Sequence, residues 1–200
     1  MAHFSSHLMT TAAPVPFDLA APRPEMLDRT ALAYQLARIT CLNGNVKFRY
    51  SVAQRSLIVA EAIPQLVWRV YGLLRFAPAI IFGDPPQPVR DHLLVTGRSG
   101  LREREILACV WSHFGLASPD AAAARAVDFA CMQVEATEHR DVMFNNATAL
   151  PLSAKPLARA IKPMPDESKV EEAFIAALDS CLYWHREAVG PGQRKDEATA

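Results

Sequence analysis

The chain has 200 residues, half of them hydrophobic, with 21 basic residues against 21 acidic ones. That length and apolar content suffice for one domain with a substantial core, and the balanced charge gives no electrostatic reason to expect nucleic acid or an anionic membrane as the main partner. Cys41, Cys109, Cys131 and Cys181 lie far apart with no CxxC pair, so neither a zinc cluster nor a redox motif is indicated, and reduced, mostly buried thiols in a cytoplasmic protein are expected.

No basic region followed by an apolar core marks the N-terminus as a secretory signal. No run is long enough to span a bilayer, because Arg69 and Arg75 interrupt the candidate stretch. Residues 1–24 carry Pro14, Pro16, Pro22 and Pro24, which favour an extended arm over helix. His3 and His7 have the i, i+4 spacing of a helical metal pair, but no helix signal surrounds them and they read as solvated. From Glu25 to Thr40, Leu32, Leu36 and Ile39 recur at i, i+4 and i+7, the spacing of an amphipathic helix, with Arg38, like the later Arg49, read as surface. Asn43-Gly44-Asn45 makes the turn that ends it, where Asn45 is either a plain turn residue or a hydrogen-bond donor to a ligand.

Ser51 and Gln54 have the spacing of a capping box. The helix they start carries Val52, Ile58, Val59 and Ala62 toward a core, and Pro64 either ends it or opens the next. Residues 67–84 are apolar almost throughout and read as a buried central helix, kinked near Pro78. Arg69 and Arg75 inside it need anionic partners if they are buried. Gly83-Asp84 closes the segment, and Pro85, Pro86 and Pro88 make a rigid connection onward to residues 89–95.

Gly97-Arg98-Ser99-Gly100 reads as a flexible turn that lacks the lysine and spacing of a phosphate-binding Walker loop. Leu101, Ile106, Cys109, Val110 and His113 mark the next helix, with Glu103 and Glu105 in its first turns. Ser118-Pro119 suits the start of a long helix that aligns Val127, Cys131, Val134 and Glu138 on one face. A carboxylate on an apolar face is there to meet a cation or a backbone donor, so Glu138, with Asp141 or Glu135, is expected to brace the loop near Asn43 or a core arginine. Residues 144–165 show no sustained period, and Lys155, Arg159 and Lys162 within them read as surface. From Asp166 to Arg186 an amphipathic helix turns Phe174, Leu178, Cys181 and Leu182 inward, with Tyr183 and Trp184 packing on the body or on a partner subunit. The polar end GPGQRKDEATA is expected to be disordered.

Gly44-Asn45, the run YSVAQRS ending at Ser56, LLRFAPAIIFGDPPQPVR ending at Arg90, Ala130-Cys131 and ATEHRDVM from Ala136 to Met143 follow one another with consistent spacing. In this order the sequence resembles the HD-domain phosphohydrolases, in particular the small bacterial and phage branch of HD-type 5'-nucleotidases and deoxynucleoside triphosphate hydrolases. The likeness spans about Leu32 to Met143. It implies an all-α, HD-domain-like bundle of about six or seven helices. The layout it suggests is an extended arm over 1–24 with Phe17 and Leu19 docked, a helical domain over 25–145, an irregular loop and last helix over 146–187 on the same domain, and a tail over 188–200.

The resemblance also shows what has changed. Its metal ligands, three histidine or aspartate positions and a late aspartate, fall here on Arg55, Arg75, Phe76 and Cys131. Its catalytic glutamate falls on Ala79, its phosphate- and base-holding residues on Cys41 and Leu42, and Asp84 is the acid that survives. Cys131 alone could coordinate a metal, and one donor is not a site, so neither metal nor other cofactor is expected. The expectation is a metal-free, non-catalytic HD-like protein in which Arg55 and Arg75 fill the old metal volume and pair with Asp84, and which either binds a nucleotide or phosphate or acts through protein contacts. Asn45, Arg55, Arg75, Asp84 and Glu138 are its ligand-binding candidates, a nucleotide or phosphate its ligand class, and a homodimer its expected assembly. The alternative is a metal-dependent nucleotide phosphohydrolase with a rearranged site, drawing on Asp84, Cys131 and Glu138.

Overall fold

The structure is a computed structural model that describes residues 7–89, 98–144 and 152–189. The described chain begins with a short antiparallel ribbon, β1 (Leu8–Met9) against β2 (Phe17–Asp18), with Met9 opposite Phe17. Phe17 is fully buried, which ties this arm to the core. Helix α1 (Arg29–Arg38) starts later than the periodicity suggests. Pro24–Met26 form a separate 3-10 turn, Leu27 is extended, and the Asp28 carboxylate accepts the Ala31 N–H at 2.7 Å as the true cap.

Helix α2 (Val52–Ala62) is capped by Ser51, whose hydroxyl accepts the Gln54 N–H at 3.3 Å. The reciprocal half of the capping box is replaced, because the Gln54 amide donates instead to the Lys162 carbonyl at 2.6 Å. The apolar stretch after Pro64 is not one helix. It runs as a 3-10 turn (Leu66–Trp68), α3 (Arg69–Leu74), a turn, and α4 (Ala79–Phe82). Pro78 has no N–H to give to Leu74, and ahead of it the amides of Arg75 and Ala77 bond only three residues back, to Gly72 and Leu74. At Gly72 a side chain would sit 2.5 Å from the Ile63 terminal methyl, so glycine lets α3 lie directly on α2.

A short turn, α5 (Gln87–Val89), precedes α6 (Arg98–His113). Residues 98–100 are therefore helical rather than a turn. The first turn of a helix makes no internal N–H bonds, so Ser99 and Gly100 are tolerated there. The connection over 90–97, including Gly97, lies outside the described residues. Helix α7 (Ala121–Asp141) starts on Asp120 and not on Ser118: the Asp120 carboxylate accepts the N–H groups of Ala122 and Ala123 at 2.9 and 2.7 Å and places its charge at the helix's positive end. After an irregular run over 152–166, α8 (Glu167–Val189) turns Val170, Phe174, Leu178, Cys181 and Leu182 inward. Tyr183 and Trp184 stand near its end. They are exposed and meet each other edge to face at 5.3 Å. The tail over 190–200 lies outside the described residues.

The result is an all-α helical bundle in which α2 lies against α3 and α7, while α8 lies along α1 and the Leu66–Trp68 turn. One apolar cluster runs through it from Phe17 to Leu182. Among the described residues no helix is long and apolar enough to cross a membrane.

Candidate functional site

Arg55 stands one helical turn into α2, on the side turned toward α7, and its guanidinium is held at both ends. Its Nε and Nη2 donate to Glu138 Oε1 and Oε2 at 2.6 and 3.3 Å, and its Nη1 donates to Asp84 Oδ2 at 2.7 Å. The three side chains are only 7, 3 and 6 % exposed for Arg55, Asp84 and Glu138. A fork-on-fork pair of this kind matches the planar donors of arginine to a carboxylate. Burial opposes the Arg55 charge, but the carboxylates of Glu138 and Asp84 around it outweigh that and hold its pKa well above the usual value.

Each carboxylate is delivered by a local device. Glu138 lies on the same face of α7 as Val127 and Val134, both buried, so the helix that seals the core also carries the acid into it. Asp84 follows Gly83, whose φ of 68° and ψ of −163° lie in a region open essentially to glycine, and this turn ends α4 and swings the chain back inward. There Asp84 also anchors the segment between α1 and α2: its Oδ2 accepts the Leu42 N–H at 2.8 Å and its carbonyl accepts the Asn43 N–H at 3.0 Å. Leu42 and Asn43 consequently adopt left-handed backbone, with φ of 54° and 53°, ahead of Gly44 at 80°. For leucine that conformation costs about 1–2 kcal/mol, and the two hydrogen bonds to Asp84 offset it.

Aromatic and thiol groups complete the enclosure. The Arg55 guanidinium carbon lies 5.2 Å from the centre of the Phe76 ring and 6.0 Å from that of Tyr50, within the range where a cation is attracted to a ring face. Tyr50 is fully buried. Burial, with the Glu138 charge beside it, pushes its hydroxyl pKa well up, and the hydroxyl makes no hydrogen bond of regular geometry. Cys41 is buried next to Asp84, and its thiol is likewise pushed well above its usual value by burial and by the two carboxylates. Both groups are neutral at physiological pH, so Arg55 supplies the positive charge of this enclosure.

The remaining candidates stand apart from the pair. Arg75 is half-buried at the end of α3 and forms no hydrogen bond or ion pair among the described residues. It therefore does not join Arg55 on Asp84, and its field reaches the half-buried Cys131 thiol, whose pKa burial raises to about 11 in spite of it. Arg69 bonds carbonyls instead of a carboxylate, with its Nε on the Ile63 oxygen at 2.8 Å. Asn45 is exposed, and its side chain donates to the Leu42 carbonyl at 2.9 Å, closing the turn. Asp141 works away from Glu138, pairing with Arg140 at 2.7 Å and accepting the Ile161 N–H at 2.9 Å. Lys155, Arg159 and Lys162 are exposed.

Tyr50 and Cys41 were not identifiable as lining groups from spacing. Tyr50 heads the run YSVAQRS, and the HD resemblance sets Cys41 at a position that holds phosphate or base.

These residues do not fit a divalent ion. The positions that the HD resemblance assigns to ligands hold two arginines, a phenylalanine and a protonated thiol, and the nearby carboxylates of Asp84 and Glu138 are already engaged by Arg55. Among the described residues no three His, Cys, Asp or Glu side chains converge as a ligand set.

No family model matches the chain. It is 30% identical to an uncharacterized protein of Rhodobacter capsulatus, over an alignment covering 80% of this chain and 87% of that protein. The chain belongs to the same family as this Rhodobacter capsulatus protein.

Proposed function

We propose that this is a metal-free, non-catalytic relative of the HD phosphohydrolases that binds a nucleotide or a phosphate without cutting it. The observation that carries the reading is the Arg55 guanidinium seated between Asp84 and Glu138, at a position where the resemblance places a metal ligand. A fixed organic cation there holds α2, α4 and α7 together as an ion would, but it has no open coordination position at which to activate water. Arg75 supports the ligand class, since its guanidinium is committed to no carboxylate among the described residues and suits phosphate oxygens. The exposed Tyr183–Trp184 pair is in keeping with a homodimer, which sedimentation would test.

The test is a thermal-shift series with inorganic phosphate and nucleoside mono- and triphosphates, with and without divalent ions, run beside an assay for released phosphate. The reading expects a rise in Tm without metal, a smaller rise in Arg75→Ala, and no phosphate release. Metal-dependent release that disappears in Asp84→Asn would favour a phosphohydrolase with a rearranged site and would sink this reading.

A further inference from the structure

The irregular run from Leu157 to Lys162 crosses the seam between α2 and α7, and most of its hydrogen bonds are made by its backbone. The Leu157 N–H donates to the Thr137 hydroxyl at 2.8 Å and the Ile161 N–H to Asp141 Oδ2 at 2.9 Å. In the other direction, the Leu157 carbonyl accepts from Arg140 Nη1 at 2.9 Å and the Lys162 carbonyl accepts from the Gln54 amide at 2.6 Å. Its side chains add two apolar contacts and one exposed ion pair, Arg159 to Glu61 at 3.1 Å, which water weakens. Ile161 is buried and Leu157 half-buried, while Ala158, Arg159, Ala160 and Lys162 are exposed. Closure also leaves a polar group stranded: Gln54 is 3 % exposed, and its Oε1 has no hydrogen-bond partner.

We propose that residues 157–162 are a strap that opens as a unit while the bundle stays folded, uncovering the edge of the α2–α7 seam at Gln54, Thr137 and Asp141. Little apolar area holds it down, and segments with few buried apolar contacts open at free energies well below global unfolding. Opening also returns the stranded Gln54 oxygen to water, which removes a cost that the closed state carries. What it uncovers lies one residue from Arg55 and Glu138 in each helix, so the strap governs solvent access along the seam that buries the ion pair.

Amide hydrogen exchange followed by NMR on the full chain tests this, using the hydrogen-bonded amides of Leu157 and Ile161 against those within α2 and α7. The expected result is exchange at least about tenfold faster for the strap amides than for the helix amides. Thr137→Val removes the acceptor for Leu157, and it should speed the strap amides further while leaving α2 amides unchanged. Strap amides that exchange in step with the helix amides in the wild-type chain would overturn the proposal. So would a Thr137→Val effect that falls equally on both sets.

Discussion

The bundle holds two sets of arginine–carboxylate pairs that look alike as chemistry and differ in surroundings. Inside, Arg55 bridges Asp84 and Glu138 with its side chain almost out of contact with water. Outside, along the α1–α8 contact, Arg29 meets Asp179, Arg38 meets Glu167 and Glu171, and Arg49 meets Glu167, with side chains from a fifth to more than half exposed. Water competes for every charge in the outer set, and such pairs contribute about 0–1 kcal/mol each. The inner set has no water to fall back on, so its members depend on one another. The outer pairs decorate a contact made by Val170, Phe174 and Leu178, whereas the inner group fixes how three helices meet.

The largest effect that separates the two sets should come from Arg55→Met. It strands two buried carboxylates, and urea unfolding should show a loss of about 3–5 kcal/mol. If the loss were no greater than for an outer arginine, the inner group would not be the organising feature described here. Gly83→Ala acts on the same group without touching a charge. It forces a side chain into backbone that only glycine adopts readily, misaims Asp84, and should cost about 1–3 kcal/mol by the same measurement.

Two thiols shielded from water, the half-buried Cys131 and the buried Cys181, give a pH test. Burial raises the Cys131 pKa from 9.0 to about 11, and that of Cys181 similarly. A folded-state pKa above the unfolded one means that the folded chain holds its proton longer. Stability from these thiols is therefore complete below pH 9.0 and is lost as pH rises toward about 11. Melting temperatures across that window should fall less in Cys131→Ala than in the parent, and an equal fall in both would remove Cys131 from the account. Smallest of all, Arg38→Ala should change stability by about 0–1 kcal/mol, a difference that fades in high salt.

Much of this contrast could be read from the sequence, for identifiable reasons. Glu138 stood out because a carboxylate at i+11 from Val127 shares its face on a helix, and a buried acid requires a partner. Asp84 stood out only through the HD resemblance, as the acid that survives. Ser51 was legible as a cap because capping is a local interaction. The exceptions are places where distant residues decide. Leu42 takes a left-handed conformation because Asp84 holds its N–H from forty-two positions away, and no local preference announces it. Gln54 gives up its capping-box bond for the Lys162 carbonyl, again a tertiary choice. Arg75 resembled Arg55 in sequence, both being basic residues in apolar helices, yet only one of them faces the two acids. In the sequence the start of α7 reads at Ser118, and the structure uses the charged Asp120 two residues further on.

The central claim of the proposed function is that Arg55 engages Asp84 and Glu138 so fully that the chain holds no divalent ion there. Elemental analysis of the chain purified in the presence of manganese, cobalt and zinc tests it most directly. The account predicts metal far below one equivalent per chain, unchanged in Asp84→Asn. One tightly held equivalent that is lost in Asp84→Asn would contradict it.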